Sequence, residues 1–196
     1  MVLITLVLSK NQCIKWSTIF EDDDCGFCFG DADSYADFAD VFDPMISAYH
    51  GLTEDSKHIS DMDPLKLKGI INPEAPVKST RIRVGRNIIG YGLSPGITRE
   101  QRLEVENVMK TAFVRLSSGE LAGEYFSLLG MKENDRKQLE DEHFLFVSGV
   151  NKHTMTAGME RDWPEGRGIF HNESKSFLVW VNEEDHLRII SMEKGL

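Results

Sequence analysis

Cysteine is scarce in this chain. Cys13, Cys25 and Cys28 are the only three among 196 residues, and no secretory signature accompanies them. That argues against a disulfide framework and for a reducing compartment, so the cytoplasm is the expected location. Long apolar runs are lacking too. The apolar start at residues 1–8 is far shorter than the roughly 20 residues a bilayer span needs, and no basic residue precedes it as in a signal peptide. Basic residues are outnumbered, with 22 Lys and Arg against 32 Asp and Glu and a net charge of −10. Nucleic acid and anionic membrane surfaces are therefore not expected partners, and any anion site must be local. Two phosphate-handling signatures are missing: there is no GxxxxGK[ST] loop and no His-Arg-Asp catalytic loop. What is present, 41% hydrophobic and 28% charged residues, reads as an ordinary soluble globular chain.

Residues 1–24 are unlike the rest of the chain, passing from the apolar start through Ser9-Lys-Asn-Gln12 to the acidic Glu21-Asp-Asp-Asp24. They are read as a leader, poorly ordered or adding one strand. Asp33 is placed to cap a helix whose apolar positions Tyr35, Phe38, Phe42, Met45, Ile46 and Tyr49 follow helical spacing, with Pro44 as a break or new first turn. This suggests a small helical module over residues 25–60. Residues 51–78 carry Gly51, Pro64, Gly69, Pro73 and Pro76 without a sustained period. A domain boundary is expected there, with 61–78 as linker and 79–196 as the second domain.

In the second domain Arg81-Ile-Arg-Val alternates with the period of a half-buried strand. Thr98 and Gln101 form a capping-box pattern. Val105, Val108, Met109, Ala112 and Leu116 then predict one apolar face of a helix ending near Gly119. A polar helix is predicted over 133–142, and strands over 143–147, 168–171, 177–181 and 187–192, their short connections favouring antiparallel pairing. The expected class is α+β.

The most informative stretch is Phe177-Leu-Val-Trp-Val-Asn-Glu-Glu-Asp-His-Leu-Arg-Ile-Ile-Ser-Met192. It joins two strand-like runs through Glu183, Glu184 and Asp185, and three carboxylates at one strand end can converge on a planar guanidinium. Arg81, Arg83 and Arg86 concentrate positive charge in an acidic protein. By residue type alone they read equally as a solvated edge or an anion site. By residue type alone, too, His171 reads as a solvated turn histidine and the acidic turn as a polar hairpin.

Together with Trp163-Pro-Glu-Gly-Arg-Gly-Ile-Phe-His-Asn172 and Ser79-Thr-Arg-Ile-Arg-Val-Gly-Arg86, that stretch closely resembles the phosphagen (guanidino) kinases, the family of creatine and arginine kinases. The resemblance runs from about Cys25 to Gly195. It implies part of an antiparallel-sheet catalytic domain flanked by helices, of the guanidino kinase and glutamine synthetase-like type, behind a remnant of a helical N-terminal domain. It implies transfer of the γ-phosphoryl of ATP to a guanidino nitrogen, with ATP or ADP and Mg2+ as cofactors and a small guanidino compound as partner. Ser79, Thr80, Arg81, Ile82, Arg83 and Arg188 are implied at the nucleotide phosphates, and His171 against the adenine. Glu184 is implied at the guanidinium, with Asp185 beside it as its supporting carboxylate.

Asp24, Cys25, Gly26, Phe27 and Cys28 fall where the family has its substrate-specificity loop. Their Cys-x-x-Cys spacing lacks the context of a redox or zinc site. Tyr49 resembles arginine kinases, since creatine kinases carry arginine there, which points to arginine or a relative such as taurocyamine. Family members continue well past residue 196 and before residue 25, so the expectation is a chain truncated at both ends with reduced or no turnover. The competing expectation is a catalytically silent nucleotide-binding or sheet-edge interaction fragment. Oligomeric state is not implied.

Overall fold

Five antiparallel strands carry the architecture of the computed structural model, which describes residues 28–53, 55–57, 59–66, 74 and 76–195. They are β1 (Ser79–Arg86), β2 (Gly123–Ser127), β3 (Gly168–Asn172), β4 (Phe177–Val181) and β5 (Leu187–Lys194), ordered β1-β5-β4-β3-β2. The leader at 1–24 lies outside the described residues. No helix among the described residues is long and apolar enough to cross a membrane.

Register explains how the sheet is two-faced. Residues opposed across a ladder share a face. Arg83 opposes Ile190, Ile190 opposes Leu178, and Leu178 opposes His171. Gly85 opposes Arg188, Arg188 opposes Trp180, and Trp180 opposes Ile169. Arg81, opposite Met192, completes this face. Its apolar members pack under Leu128, Leu139, Leu145 and Phe146. The other face presents Phe170, Val179 and Val181 to the helix α3 (Arg99–Phe113), through Val105, Met109 and Phe113.

Helix α3 starts where the sequence places it. Thr98 accepts from the Gln101 amide and Gln101 reciprocates to the Thr98 N–H, a complete capping box. Its inward face departs from the predicted one. Arg102, Val105, Glu106, Met109 and Phe113 are buried, while Val108 is 44% exposed. Glu106 turns inward because it has partners: Tyr125 and Ser127 donate to it at 2.9 Å each, tying α3 to β2. Burial first and the Glu106 charge second push the Tyr125 hydroxyl pKa upward.

The predicted strand at 143–147 does not form. His143 adopts φ 61°, and the Phe144 and Leu145 amides turn back to Leu139 O at 2.8 and 3.1 Å, closing the helix α4 (Glu133–Asp141). Trp180 Nε1 donates to Phe144 O at 2.7 Å, so this backbone has no ladder to offer. The apolar run instead supplies Leu145 and Phe146 to the core. Conversely, β2 is not among the predicted strands, since Gly123-Glu-Tyr-Phe-Ser127 is a short edge strand with a weak pattern.

Near the N-terminus, Ser34 is capped by Asp31 rather than Asp33, through N–H and hydroxyl bonds of 2.9 and 2.7 Å. The helix interruption falls at Phe38 (φ −122°), between α1 (Ser34–Asp37) and α2 (Ala39–His50), and Pro44 lies inside α2. Phe29 stacks on Tyr35 and tilts against Phe42, an aromatic cluster that a turn at Phe38 brings together. This segment meets the sheet-bearing part of the chain where Leu93 N–H donates to Gly30 O at 2.8 Å. Within 61–78, the described residues show only a 3-10 turn, Pro64–Lys66.

Candidate active site at the β4–β5 turn

Strands β4 and β5 end in a five-residue loop, 182–186, that carries all three carboxylates. Asn182 fixes its entry. It is 4% exposed, takes φ 56°, and donates through Nδ2 to Arg102 O (3.1 Å) and Gly166 O (2.6 Å). Asparagine tolerates the left-handed region better than most residues and here satisfies two buried carbonyls as well. Asn182→Ala removes the donor that both carbonyls share and strains the backbone. We expect a stability loss of about 2–4 kcal/mol, read as a lower urea midpoint at unchanged m-value, with Asn182→Gly recovering only the backbone part.

Arg188, on β5, reaches back over this loop. Its Nη2 lies 2.7 Å from Glu184 Oε2 and 3.3 Å from Asp185 Oδ2, and its Nε lies 3.3 Å from Glu183 Oε2. A guanidinium thus already sits among the three acids. Burial works against the Arg188 charge, but Glu183, Glu184 and Asp185 outweigh it and move its pKa upward. The Glu183 pKa is raised as well, mainly by burial, with Glu184 and Asp185 adding to the rise and the Glu184 N–H and Arg188 opposing it. Asp185 occupies the space over Gly85, where any Cβ would collide with its carboxylate. Glycine at 85 therefore leaves room for the Asp185 carboxylate, which a larger residue there would displace.

Arg81 and Arg83 stand on the same sheet face as Arg188. The Arg81 guanidinium lies 5.6 Å above the Trp180 ring. Its pKa is lowered, by burial first and then by the charges of Arg83 and Arg188. Arg81 and Arg83 thus add positive charge beside Arg188, whose own charge faces Glu183, Glu184 and Asp185. A small cavity of about 70 Å³ adjoins Glu183 and Glu184, with Phe146, Glu160 and Trp163 in its wall.

The structure brings Glu184, Asp185, Arg188, Arg81 and Arg83 together, with Ile82 on the opposite face of β1. Thr80 Oγ1 donates to Gly195 O at 3.0 Å, and Ser79 begins the strand opposite Lys194. His171 stands apart. It is three strands from Arg83, roughly 14 Å at the usual strand spacing, with buried Leu178 and Ile190 between. It stacks on Phe126 at 5.1 Å in a separate cavity of about 590 Å³. Of the residues expected to form a specificity loop, Asp24, Cys25, Gly26 and Phe27 lie outside the described residues, and Cys28 is half-buried. Tyr49 is 87% exposed, edge-on to His50. Sequence reasoning missed Asn182 and Gly85. Both adjoin the motif, but their roles depend on partners distant in the chain.

An antiparallel sheet whose one face gathers arginines against a carboxylate turn defines an α+β domain. Residues 104–196 match the ATP:guanido phosphotransferase family, C-terminal catalytic domain. The chain is 47% identical over 187 residues to an arginine kinase of Anthopleura japonica, covering 94% of this chain and 26% of that protein. It is 46% identical over 171 residues to an arginine kinase of Stichopus japonicus, covering 87% of this chain and 46% of that protein. The substrate-free duplicated taurocyamine kinase from Schistosoma mansoni superposes with a TM-score of 0.81 at 41% identity, covering 94% of this chain and 26% of that one. Over 94% of its length the chain is similar to members of the ATP:guanido phosphotransferase, or phosphagen kinase, family. It spans about a quarter to a half of the length of these relatives.

Proposed function

We propose that this chain carries the guanidinium-binding and phosphate-binding groups of an ATP:guanidino phosphotransferase acting on arginine or a related guanidino compound. The observation that supports it most is Arg188, whose guanidinium lies 2.7 Å from Glu184 on the sheet face that also carries Arg81 and Arg83. Glu184 would hold the substrate guanidinium and accept the proton lost when its nitrogen attacks the γ-phosphorus, since a protonated guanidinium is no nucleophile. Asp185 would support Glu184. Arg81, Arg83 and Arg188, with the strand backbone at Ser79, Thr80 and Ile82, would take the phosphates and stabilise charge on the transferring group.

Among the described residues no group of three or more His, Cys, Asp or Glu is arranged to hold an ion. Magnesium would be held by the nucleotide's own phosphates and would supply charge neutralisation there. Tyr49 and the 24–28 segment would select the acceptor. We propose the cytoplasm as the site of action.

Calorimetry of the purified chain with MgADP and with L-arginine tests the reading, and binding of neither would sink it. For His171 we propose contact with the adenine from the 590 Å³ cavity. His171→Ala should then weaken ADP binding about 10-fold through lost stacking, and leave inorganic pyrophosphate binding unchanged. Equal losses for both ligands would place the base elsewhere.

A further inference from the structure

His186 follows the acid triad and is 1% exposed. Its ring spans two backbone groups of the segment after β1: Ile88 N–H donates to Nδ1 at 3.0 Å, and Nε2 meets Gly92 O at 2.8 Å. A backbone amide only donates and a carbonyl only accepts. Nδ1 must therefore be bare and Nε2 must carry the hydrogen, which selects one neutral tautomer. The main chain of His186 is engaged as well. Its N–H donates to Asn87 Oδ1 at 3.0 Å, and its carbonyl accepts from Asn182 N–H at 2.9 Å.

The location of these bonds gives them their meaning. The ladder between β1 and β5 ends at the pair Arg86–Leu187. Beyond it, sheet hydrogen bonds cannot align the acid loop with the arginine strand. We infer that His186, as its neutral Nε2–H tautomer, is a positioning residue that extends this alignment by one residue and sets Glu184 and Asp185 relative to Arg81 and Arg83. The inference rests on the functional reading above.

A protonated ring would turn an Nδ1 hydrogen toward the Ile88 N–H and break the brace. The groups facing the ring are Asp185, Arg102, the Gly92 carbonyl and Tyr91, whose ring is edge-on at 6.3 Å. Burial is the largest influence and lowers the His186 pKa. The Gly92 carbonyl and Asp185 oppose that shift, Arg102 adds to it, and the net direction is down from 6.5. The folded pKa lies below the unfolded one, so the brace is fully present above about pH 6.5 and is lost as pH falls through the lowered folded value.

The test combines imidazole nitrogen NMR of the full chain with calorimetry of His186→Leu and His186→Asn. The expected spectrum shows the Nε2–H tautomer persisting from about pH 8 to about pH 6.5. His186→Leu should weaken L-arginine binding roughly 10- to 100-fold more than MgADP binding, because the loop moves while the arginines stay on their ladder. His186→Asn keeps an acceptor for Ile88. It should restore part of the arginine affinity at about pH 8 and remove the His186-dependent decline below about pH 6.5. An Nδ1–H tautomer, or an imidazolium at about pH 6.5, overturns the inference. So does wild-type arginine affinity in His186→Leu or, should that variant not fold, unaltered affinity and pH dependence in His186→Asn. If wild type binds neither ligand, the functional reading itself fails and takes the inference with it. If wild type binds both and the variants match it, only the inference falls.

Discussion

Glu184→Gln should weaken L-arginine binding about 10- to 100-fold, the loss expected when one charge-assisted hydrogen bond worth about 1.5–3 kcal/mol is removed. The substitution preserves shape, so the effect isolates charge. It also presents N–H donors where the guanidinium presents its own. Arg188 loses its 2.7 Å partner but keeps Glu183 and Asp185 at 3.3 Å. Its hold on the loop therefore loosens without collapse, and more of its charge becomes available to an anion. MgADP affinity should in consequence be unchanged or tighter. Titration calorimetry with each ligand separates the two responses. An unaltered arginine affinity would remove Glu184 from its proposed role, and equal losses of both ligands would indicate general damage to the loop.

The double substitution Arg81→Ala/Arg83→Ala should act in the opposite sense. Two guanidinium donors to phosphate are lost, and MgADP binding should fall by at least about 100-fold, with a shallower dependence on salt. Arg81, Arg83 and Arg188 repel one another in the unliganded protein, as the lowered Arg81 pKa reflects after burial is allowed for. Removing two of the three should therefore leave the thermal midpoint unchanged or slightly higher, apart from the contact of Arg81 with Trp180. Loss of nucleotide affinity with retained stability is what a binding role predicts. A parallel fall in both, measured by calorimetry and thermal unfolding, would instead mark the arginines as structural.

Legibility in the sequence tracks the range of the interactions. The strands at 177–181 and 187–192 and the Thr98 capping box depend on neighbours within a few residues, and they are readable to within a residue or two. The strand predicted at 143–147 has the right composition. Its backbone, however, is committed to Leu139 O and to the Trp180 indole, which no local pattern reveals. The burial of Arg102 and Glu106 on α3 likewise depends on Asp162 and Tyr125, 60 and 19 residues away. The residue types at 81, 83, 184, 185 and 188 are legible as a guanidinium and anion site only through their joint resemblance to one family. Taken singly, each has a plainer reading.

By itself, the sequence determined which chemical groups this chain has to work with: carboxylates between two strand-like runs, arginines on alternating strand positions, and no glycine-rich phosphate loop. It determined the strand faces as well, because side-chain alternation is a local property of extended backbone. Only the tertiary structure decided which groups meet. Ladder register sets Arg188 opposite Gly85 and lets Asp185 close over it. The same register, with Leu178 and Ile190 buried in between, keeps His171 three strands from Arg83. Both arrangements depend on the β1–β5 pairing, whose partners lie more than a hundred residues apart in the chain, and that pairing is set by packing of the whole sheet.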